Sequence, residues 1–327
     1  MFDSILDILL PFLQLAFGIG LLWQGSFSLI EYSLKIGKQL NLSELFIGMT
    51  LLAWATSLPE IFVLINSIIF IKSDPSSAMY GTIIGSNFAN ISLVLGLGVL
   101  FSSKHFIAKA ENFSTRFAII FFATFCLVVY PLIKSTNNQL ALLLSLLMTG
   151  SMILYIFTSY NKSSVENVAK IKPRYKQLAR DAGALIASIC VIYFGAFCVT
   201  SLGKILMETF EVSSATIGGL FFALSTSAPE IFTSLVAIIK FKKSTLVLGN
   251  VLGSNIANIF GFGLISLFYN INIGSENTLL ASGSLLLGAE ILVFLLCIFY
   301  LKNNEVRIPY WLGLFLIVIY YLFVRSI

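Results

Sequence analysis

Charged residues are scarce in this 327-residue chain, where Asp, Glu, Lys and Arg together make up only 11%. Soluble domains carry roughly 25% charged residues, so this composition excludes an ordinary soluble protein. Hydrophobic residues reach 58%, and the mean hydropathy is +0.96. The sequence therefore predicts an integral membrane protein with the lipid bilayer as its surroundings.

Cysteine and histidine are also rare, which excludes several kinds of site. The four cysteines lie in apolar stretches without CxxC spacing, so neither a disulfide framework nor a zinc site is indicated. The single histidine, His105, lies in a basic loop, where an imidazole is usually solvated. Because the chain contains no GxxxxGK[ST] stretch, we expect no nucleotide partner, and we expect no cofactor.

Ten long gaps separate the clusters of charged residues, and each is long enough for one transmembrane helix of about 20 residues. The predicted spans are 8–30, 45–71, 75–103, 117–133, 135–161, 182–203, 212–239, 244–275, 277–301 and 308–324. The first ten residues carry Asp3 and Asp7 but no basic residue. We therefore expect them to lead into the first helix rather than to form a signal peptide.

Lysine and arginine are distributed unevenly between the two membrane faces that ten spans define. Sixteen of the 20 lie on one face, here called the basic face, and the others are Lys72, Lys134, Lys204 and Arg325. Cytoplasmic loops hold the excess of such residues. We therefore predict a multi-pass protein of the cell (inner) membrane, with both termini outside the cytoplasm. This topology accounts for the net charge of +5, so no nucleic acid partner is expected.

One short motif occurs twice, each time inside an apolar span. The first copy is Thr56-Ser57-Leu58-Pro59-Glu60, and the second, 170 positions later, is Thr226-Ser227-Ala228-Pro229-Glu230. Each copy is followed by a Gly-Ser-Asn stretch, which reads GSNFAN from position 85 and GSNIAN from position 253. The chain therefore contains an internal duplication.

Five spans per copy is an odd number, so the second copy must enter the membrane from the opposite face. The sequence predicts an all-α integral membrane protein whose ten transmembrane helices form two inverted five-helix repeats. The predicted repeats are residues 1–161 and 182–327, joined by a basic linker at 162–181. Such an architecture places substrate sites near the bilayer midplane and supports alternating access.

The duplicated motif brings carboxylates into the membrane. A charged carboxylate at the centre of a span costs about 2.5–3.5 kcal/mol or more, and no Lys or Arg lies in an apolar gap to pair with Glu60 or Glu230. A cation or a proton is the expected partner. Pro59 and Pro229 each remove a helix hydrogen bond, so we expect them to break their helices and expose a backbone carbonyl.

Hydroxyl and amide side chains accompany these carboxylates, and the set contains no sulfur or imidazole. They are Thr56, Ser57, Thr226, Ser227, Ser86, Ser254, Asn90 and Asn258. Oxygen donors of this kind suit hard cations such as Ca²⁺ and Na⁺.

The doubled pattern, TSLPE with GSNFAN and TSAPE with GSNIAN, resembles the alpha-repeats of the sodium/calcium exchanger family in the cation/calcium antiporter superfamily. The resemblance covers the whole ten-helix plan and is strongest to compact prokaryotic members, because no large domain interrupts the middle loop. It implies a secondary antiporter, not an enzyme, that moves Ca²⁺ against Na⁺ by alternating access. Ca²⁺ extrusion driven by Na⁺ influx is the implied direction.

The resemblance also implies roles for individual residues. Glu60 and Glu230 are the implied main Ca²⁺ ligands, and Asn90 and Asn258 complete the central ring. Some family members carry aspartate at the position of Asn258, so a third carboxylate is absent here and the ion stoichiometry stays open. Flanking Na⁺ sites are implied for Thr56, Ser57, Thr226, Ser227, Ser86 and Ser254 and for the carbonyls of Ala53 and Ala223.

Three other functions remain open. A Ca²⁺/H⁺ antiporter of the same fold is an alternative, because two midplane glutamates can carry protons as well as metal. A cation channel needs a continuous pore and usually subunit symmetry, which inverted repeats do not favour. An intramembrane enzyme needs a nucleophile with a base, whereas Ser57 and Ser227 have no histidine or lysine partner in the spans.

Glu290 is a third glutamate inside an apolar gap, but it has no counterpart in the first half, where Ile120 occupies the equivalent position. We expect it to form a local hydrogen bond while protonated rather than to bind an ion. The oligomeric state and any involvement of K⁺ are left open by the sequence.

Overall fold

The computed structural model of the chain describes residues 5–70, 75–103, 105–160, 174–210, 227–271, 273 and 277–326. Most of these residues are helical. The helices are α1 (Ile5–Leu40), α2 (Glu44–Ile47), α3 (Ala53–Phe70), α4 (Pro75–Ala89), α5 (Leu95–Leu100), α6 (Phe113–Lys134), α7 (Asn138–Tyr160), α8 (Tyr175–Phe210), α9 (Ala228–Ile239), α10 (Ser244–Phe268), α11 (Asn277–Phe299) and α12 (Leu312–Ser326).

Two five-residue π-helical turns lie within longer helical segments. Gly48–Leu52 joins α2 to α3, and Asn90–Val94 joins α4 to α5. Each segment therefore crosses the membrane as one continuous helix with a local widening. Such widenings are rare and are frequently found at functional sites.

Described helices overlap all ten predicted spans, and residues 212–226 of the seventh span lie outside the described residues. Eight helical segments of the described chain are long and apolar enough to cross a bilayer, and α9 and α12 are two shorter apolar helices. The eight segments are Leu13–Leu40, Glu44–Ile69, Pro75–Leu100, Phe113–Lys134, Asn138–Tyr160, Tyr175–Val199, Ser244–Phe268 and Leu280–Phe299. The prediction of a ten-helix membrane protein is confirmed.

Two helices extend beyond their predicted ends. The first predicted span ends at residue 30, but α1 continues to Leu40, and Lys35 forms a 2.7 Å ion pair with Glu31 one turn earlier. Pairs at this spacing stabilise a helix, so helical turns continue past the apolar stretch. In the same way, α8 begins at Tyr175, inside the segment predicted as a linker.

A small antiparallel sheet was not predicted. Its strands β1 (His105–Lys109), β2 (Leu301–Lys302) and β3 (Glu305–Pro309) lie in the order β1-β3-β2. Alternate side chains are buried, among them Phe106 and Ile308, which face each other across the pair. The sheet joins the loop after the third span to the loop after the ninth. These loops therefore lie on the same side, as expected because both follow an odd-numbered span.

The two longest helices, α1 and α8, pack against each other through glycine. A Cβ atom on Gly195 would lie 2.9 Å from the carbonyl oxygen of Gly18, and one on Gly18 would lie 3.0 Å from that of Gly195. The contact is thus reciprocal between the first helix of each repeat. Small residues at such crossings let helix backbones approach closely in membranes.

The central helices α4 and α10 meet through another reciprocal contact. Asn87 Nδ2 donates to the carbonyl oxygen of Asn255 at 3.2 Å, and Asn255 Nδ2 donates to that of Asn87 at 3.3 Å. Both asparagines are fully buried and belong to the duplicated Gly-Ser-Asn stretches. The two copies of the motif therefore meet at the centre of the molecule.

Candidate ion-binding site

The two motif glutamates lie on α3 and α9, and neither side chain is exposed to solvent. Pro229 falls in the first turn of α9, where a missing N–H leaves no hydrogen bond unmade. Pro59 differs from our expectation, because α3 continues through it from Ala53 to Phe70. The prediction that Pro59 breaks its helix is wrong, since neighbouring helices hold the segment helical despite the lost hydrogen bond.

Each glutamate accepts one hydrogen bond from a serine of the motif set. Ser86 Oγ donates to Glu60 Oε1 at 2.9 Å, and Ser57 Oγ donates to Glu230 Oε1 at 3.3 Å. The second contact crosses from one repeat to the other. The remaining Oε2 atoms of both glutamates are buried and have no hydrogen-bond partner within the described residues.

No basic side chain of the described chain forms an ion pair with these carboxylates. The ion pairs observed in the described ranges join Glu31 to Lys35 on α1, Glu44 to Lys243, and Glu305 to Arg307 on β3, and none of them includes Glu60 or Glu230. Leaving a buried carboxylate charged and unpaired is strongly unfavourable. The pair therefore requires a positive ligand, either a metal cation or protons.

Two asparagines of the predicted set, Asn90 and Asn258, have buried amide oxygens. Asn258 Nδ2 donates to Ser86 Oγ at 3.2 Å and to Asn87 Oδ1 at 3.0 Å, which fixes the orientation of its amide. Its Oδ1 atom has no partner among the residues described, and neither polar atom of the Asn90 side chain has one. Buried amides normally make hydrogen bonds, so these oxygens are available to a ligand.

A second group of oxygens gathers around Thr56. Its Oγ1 atom lies 3.4 Å from the carbonyl oxygen of Ala53, from Asn250 Oδ1 and from Ser254 Oγ. Ser254 and Asn250 belong to α10 in the second repeat, whereas Thr56 belongs to the first. The cluster is therefore again built by both repeats. Ser227 is also buried, and its Oγ atom lacks a partner in the described chain.

Most of the predicted site residues are thus brought together by α3, α4, α9, α10 and the turn that begins at Asn90. Two of them, Thr226 and Ala223, lie outside the described residues. The donors that surround the carboxylate pair are hydroxyl, amide and backbone oxygens. Oxygen donors of this kind suit a hard cation rather than a transition metal.

Four polar residues near the site were not predicted. Asn87, Asn255 and Asn250 hydrogen-bond to site residues or to each other, and the duplicated Gly-Ser-Asn stretch was a signal for the first two. Tyr193 on α8 lies close enough to Glu60 and Glu230 to interact with both carboxylates. Its hydroxyl is buried without a partner in the described chain. The position of this tyrosine in the middle of an apolar span was a signal from which its place near the site could have been predicted.

Glu290 forms the local hydrogen bond expected of it. Thr124 Oγ1 on α6 donates to Glu290 Oε1 on α11 at 2.8 Å, and Glu290 is fully buried. No hydrogen bond of the described chain links it to either motif glutamate. The contact joins two spans, so we assign Glu290 a structural role.

Replacing Glu290 by glutamine is expected to preserve stability, because an amide oxygen still accepts from Thr124. Glu290→Leu is expected to lower the free energy of unfolding by about 1–3 kcal/mol, since the Thr124 hydroxyl then loses its partner. Thermal unfolding of the detergent-solubilised protein measures both variants. Adding Thr124→Val to Glu290→Leu should restore part of the loss. A glutamine variant as unstable as the leucine variant would contradict this role.

Comparison with known proteins adds an independent observation. The family profile described as sodium/calcium exchanger protein matches residues 10–161 and 181–326. The chain is 26% identical to the sodium/calcium exchanger MaX1 of Methanosarcina acetivorans, over 97% of this chain and 98% of that protein. It is 28% identical to the membrane protein MJ0091 of Methanocaldococcus jannaschii, over 95% of each chain.

Solved structures show the same fold. The chain is similar to the sodium-calcium exchanger NCX_Mj soaked with 10 mM Na⁺ and zero Ca²⁺, with a TM-score of 0.77 and 26% sequence identity. That similarity covers 98% of this chain and 99% of the other. A structure of NCX_Mj soaked with 10 mM Na⁺ and 10 mM Sr²⁺ gives a TM-score of 0.74. The similarity therefore extends over the full ten-helix architecture.

Proposed function

This chain belongs to the sodium/calcium exchanger family, and from that membership we propose that it exchanges Na⁺ for Ca²⁺ across a membrane by alternating access. The observation that carries the proposal is the buried pair Glu60 and Glu230, which has unpartnered oxygens and no basic partner in the described chain. Two carboxylates supply the charge that one Ca²⁺ neutralises. The protein is a transporter and not an enzyme.

The two oxygen groups of the site suggest different occupants. Glu60 and Glu230, with the amide oxygens of Asn90 and Asn258, would form an irregular oxygen shell of the kind Ca²⁺ accepts. The neutral hydroxyl and carbonyl oxygens suit Na⁺, whose single charge needs fewer carboxylates. This second group comprises Thr56, Ser57, Ser86, Ser227, Ser254, Thr226, Ala53 and Ala223. Na⁺ and Ca²⁺ would compete, since Ser86 and Ser57 hydrogen-bond to the carboxylates themselves.

The charge distribution of the loops supports an orientation in the membrane, and family membership supports a direction of exchange. The basic face corresponds to the cytoplasm by the positive-inside rule, so both termini would lie on the other side of the cell (inner) membrane. Na⁺ influx would then drive Ca²⁺ extrusion. If three Na⁺ exchange for one Ca²⁺, one net charge moves per cycle, and a potential of 100 mV contributes about 2.3 kcal/mol.

Proteoliposomes test the coupling ion directly. Vesicles preloaded with Na⁺ are expected to take up ⁴⁵Ca²⁺ when diluted into Na⁺-free medium, because the outward Na⁺ gradient drives the exchange. Vesicles with only a pH gradient, acidic inside, are the control and should take up little. Uptake driven by the pH gradient without any Na⁺ requirement would instead indicate Ca²⁺/H⁺ antiport. Non-saturable flux without countertransport would indicate a channel.

A further inference from the structure

A line of buried hydroxyl groups leads away from the carboxylate pair on one side. Thr233 and Ser234 follow Glu230 by three and four residues on α9, so they lie one turn further along the same helix face. Thr233 Oγ1 donates to Ser26 Oγ on α1 at 3.2 Å. Thr233, Ser234 and Ser26 are each at most 1% exposed.

The line continues along α1. Ser33 follows Ser26 by seven residues, which is two turns or about 10 Å along the same face. It is also buried. The ends of α1 and α9 that lie beyond these hydroxyls carry Lys35, Lys38 and Lys240. The hydroxyls therefore extend from the carboxylate pair towards the basic face.

The hydroxyls of Ser33 and Ser234 are unusual because they have no hydrogen-bond partner within the described residues. Several serines buried in other spans donate to a carbonyl three or four residues earlier in their own helix. Examples are Ser67, Ser145, Ser151 and Ser188. A buried hydroxyl that does not bond back to its helix is costly unless water or a ligand satisfies it.

The internal repeat shows that these hydroxyls are not needed for packing. The positions equivalent to Thr233 and Ser234, 170 residues earlier on α3, are Val63 and Leu64, and Leu64 is fully buried. Because the repeats are inverted, those aliphatic side chains follow Glu60 towards the opposite face. The first turn beyond each glutamate therefore differs chemically, with hydroxyl side chains beyond Glu230 and hydrocarbon side chains beyond Glu60.

We propose that Thr233, Ser234, Ser26 and Ser33 form a hydrated track through which Na⁺ and Ca²⁺ pass between the carboxylate pair and the basic face. The proposal rests on the exchange function proposed above, which supplies the cations. Hydroxyl oxygens replace part of the hydration shell of a hard cation without holding it tightly, because they carry no charge. The track thus conducts cations to the site and does not compete with it.

Cysteine accessibility tests the track without requiring transport. Ser234→Cys and Ser33→Cys are treated with a membrane-impermeant cationic methanethiosulfonate, in everted vesicles and in intact cells. A thiol reacts as a thiolate and therefore needs water around it. We expect both variants to be modified about tenfold faster than the controls when the reagent reaches the basic face, and not from the other face.

The matched controls are the wild-type chain and Ser188→Cys. The wild type reports any reaction of its own cysteines, of which Cys126, Cys198 and Cys297 are buried and Cys190 is exposed. Ser188 is buried on α8, where its hydroxyl donates to the Ala184 carbonyl. The proposal would be overturned if the reagent modified neither track variant from the basic face. It would also be overturned if the reagent modified them from the opposite face.

A transport measurement adds a functional readout. The double variant Thr233→Val with Ser234→Ala removes both hydroxyls of α9, and Ser188→Ala is its control. We expect the double variant to slow Na⁺-dependent ⁴⁵Ca²⁺ exchange about tenfold while equilibrium Ca²⁺ binding stays unchanged. An unchanged exchange rate would overturn the track. A wild-type protein without Na⁺-dependent exchange would overturn the proposed function instead, and the labelling result would still decide whether the track is hydrated.

Discussion

Glu60→Gln and Glu230→Gln are each expected to abolish Na⁺-dependent Ca²⁺ transport while leaving the protein folded. Both side chains are fully buried, and each change removes one of the two negative charges that we propose bind the cation. At an effective dielectric constant of about 20, a pair of unit charges 4 Å apart interacts by about 4 kcal/mol. Losing an interaction of that size weakens binding roughly a thousandfold. Calorimetric titration with Ca²⁺ and ⁴⁵Ca²⁺ flux in proteoliposomes measure the two effects.

The control for this prediction is Glu290→Gln, which also removes a fully buried carboxyl group from a span. It should transport normally, because Glu290 hydrogen-bonds to Thr124 and not to the motif residues. Thermal stability should be retained or raised in the two motif variants, since glutamine removes a buried charge that has no protein partner. Normal Ca²⁺ transport by either motif variant would mean that the cation binds elsewhere.

The candidate site was predictable from the sequence because its residues are costly in a membrane and occur twice. A glutamate at the centre of a span is unfavourable, so the duplication of Glu60 at Glu230 pointed to a shared function. The inverted arrangement followed from counting spans. Contacts between the copies, such as Ser57 with Glu230, then placed both motifs at one centre. These features need only composition, spacing and repetition.

Features that depend on distant pairing were not predictable in the same way. The strand His105–Lys109 is five residues long, and its partner begins at Glu305, so no local periodicity reveals the pair. The π-helical turn Gly48–Leu52 adjoins α10, where a Cβ on Gly48 would lie 2.8 Å from the Leu246 carbonyl oxygen. Such a turn is set by packing between helices rather than by local propensity. Pro59 was misjudged for the same reason, because tertiary packing keeps α3 helical.

Gly253→Ala is expected to destabilise the protein and to abolish exchange, although it adds only one methyl group. The new Cβ would lie 2.5 Å from the Met49 carbonyl oxygen and 2.6 Å from Ala53 Cβ. Backbone atoms cannot move aside as a flexible side chain can, so α10 must shift away from α3. That shift separates Ser254 from Thr56, which are 3.4 Å apart. Overpacking of this kind costs about 1–3 kcal/mol.

Gly150→Ala on α7 is the matched control, because a Cβ there meets no atom of the described chain within 4 Å. Alanine is the better helix former by about 1 kcal/mol, so this variant should melt at or above the wild-type temperature and transport normally. Both variants replace glycine by alanine, but we expect Gly253→Ala to lower the stability and Gly150→Ala to keep or raise it. The difference between them is the steric contact that the new Cβ makes. Thermal unfolding and ⁴⁵Ca²⁺ exchange should therefore change together in Gly253→Ala. A Gly253→Ala protein with wild-type stability and exchange would contradict this prediction. It would show that α10 does not approach α3 this closely at Gly253, and that the distance between Thr56 and Ser254 does not depend on this contact.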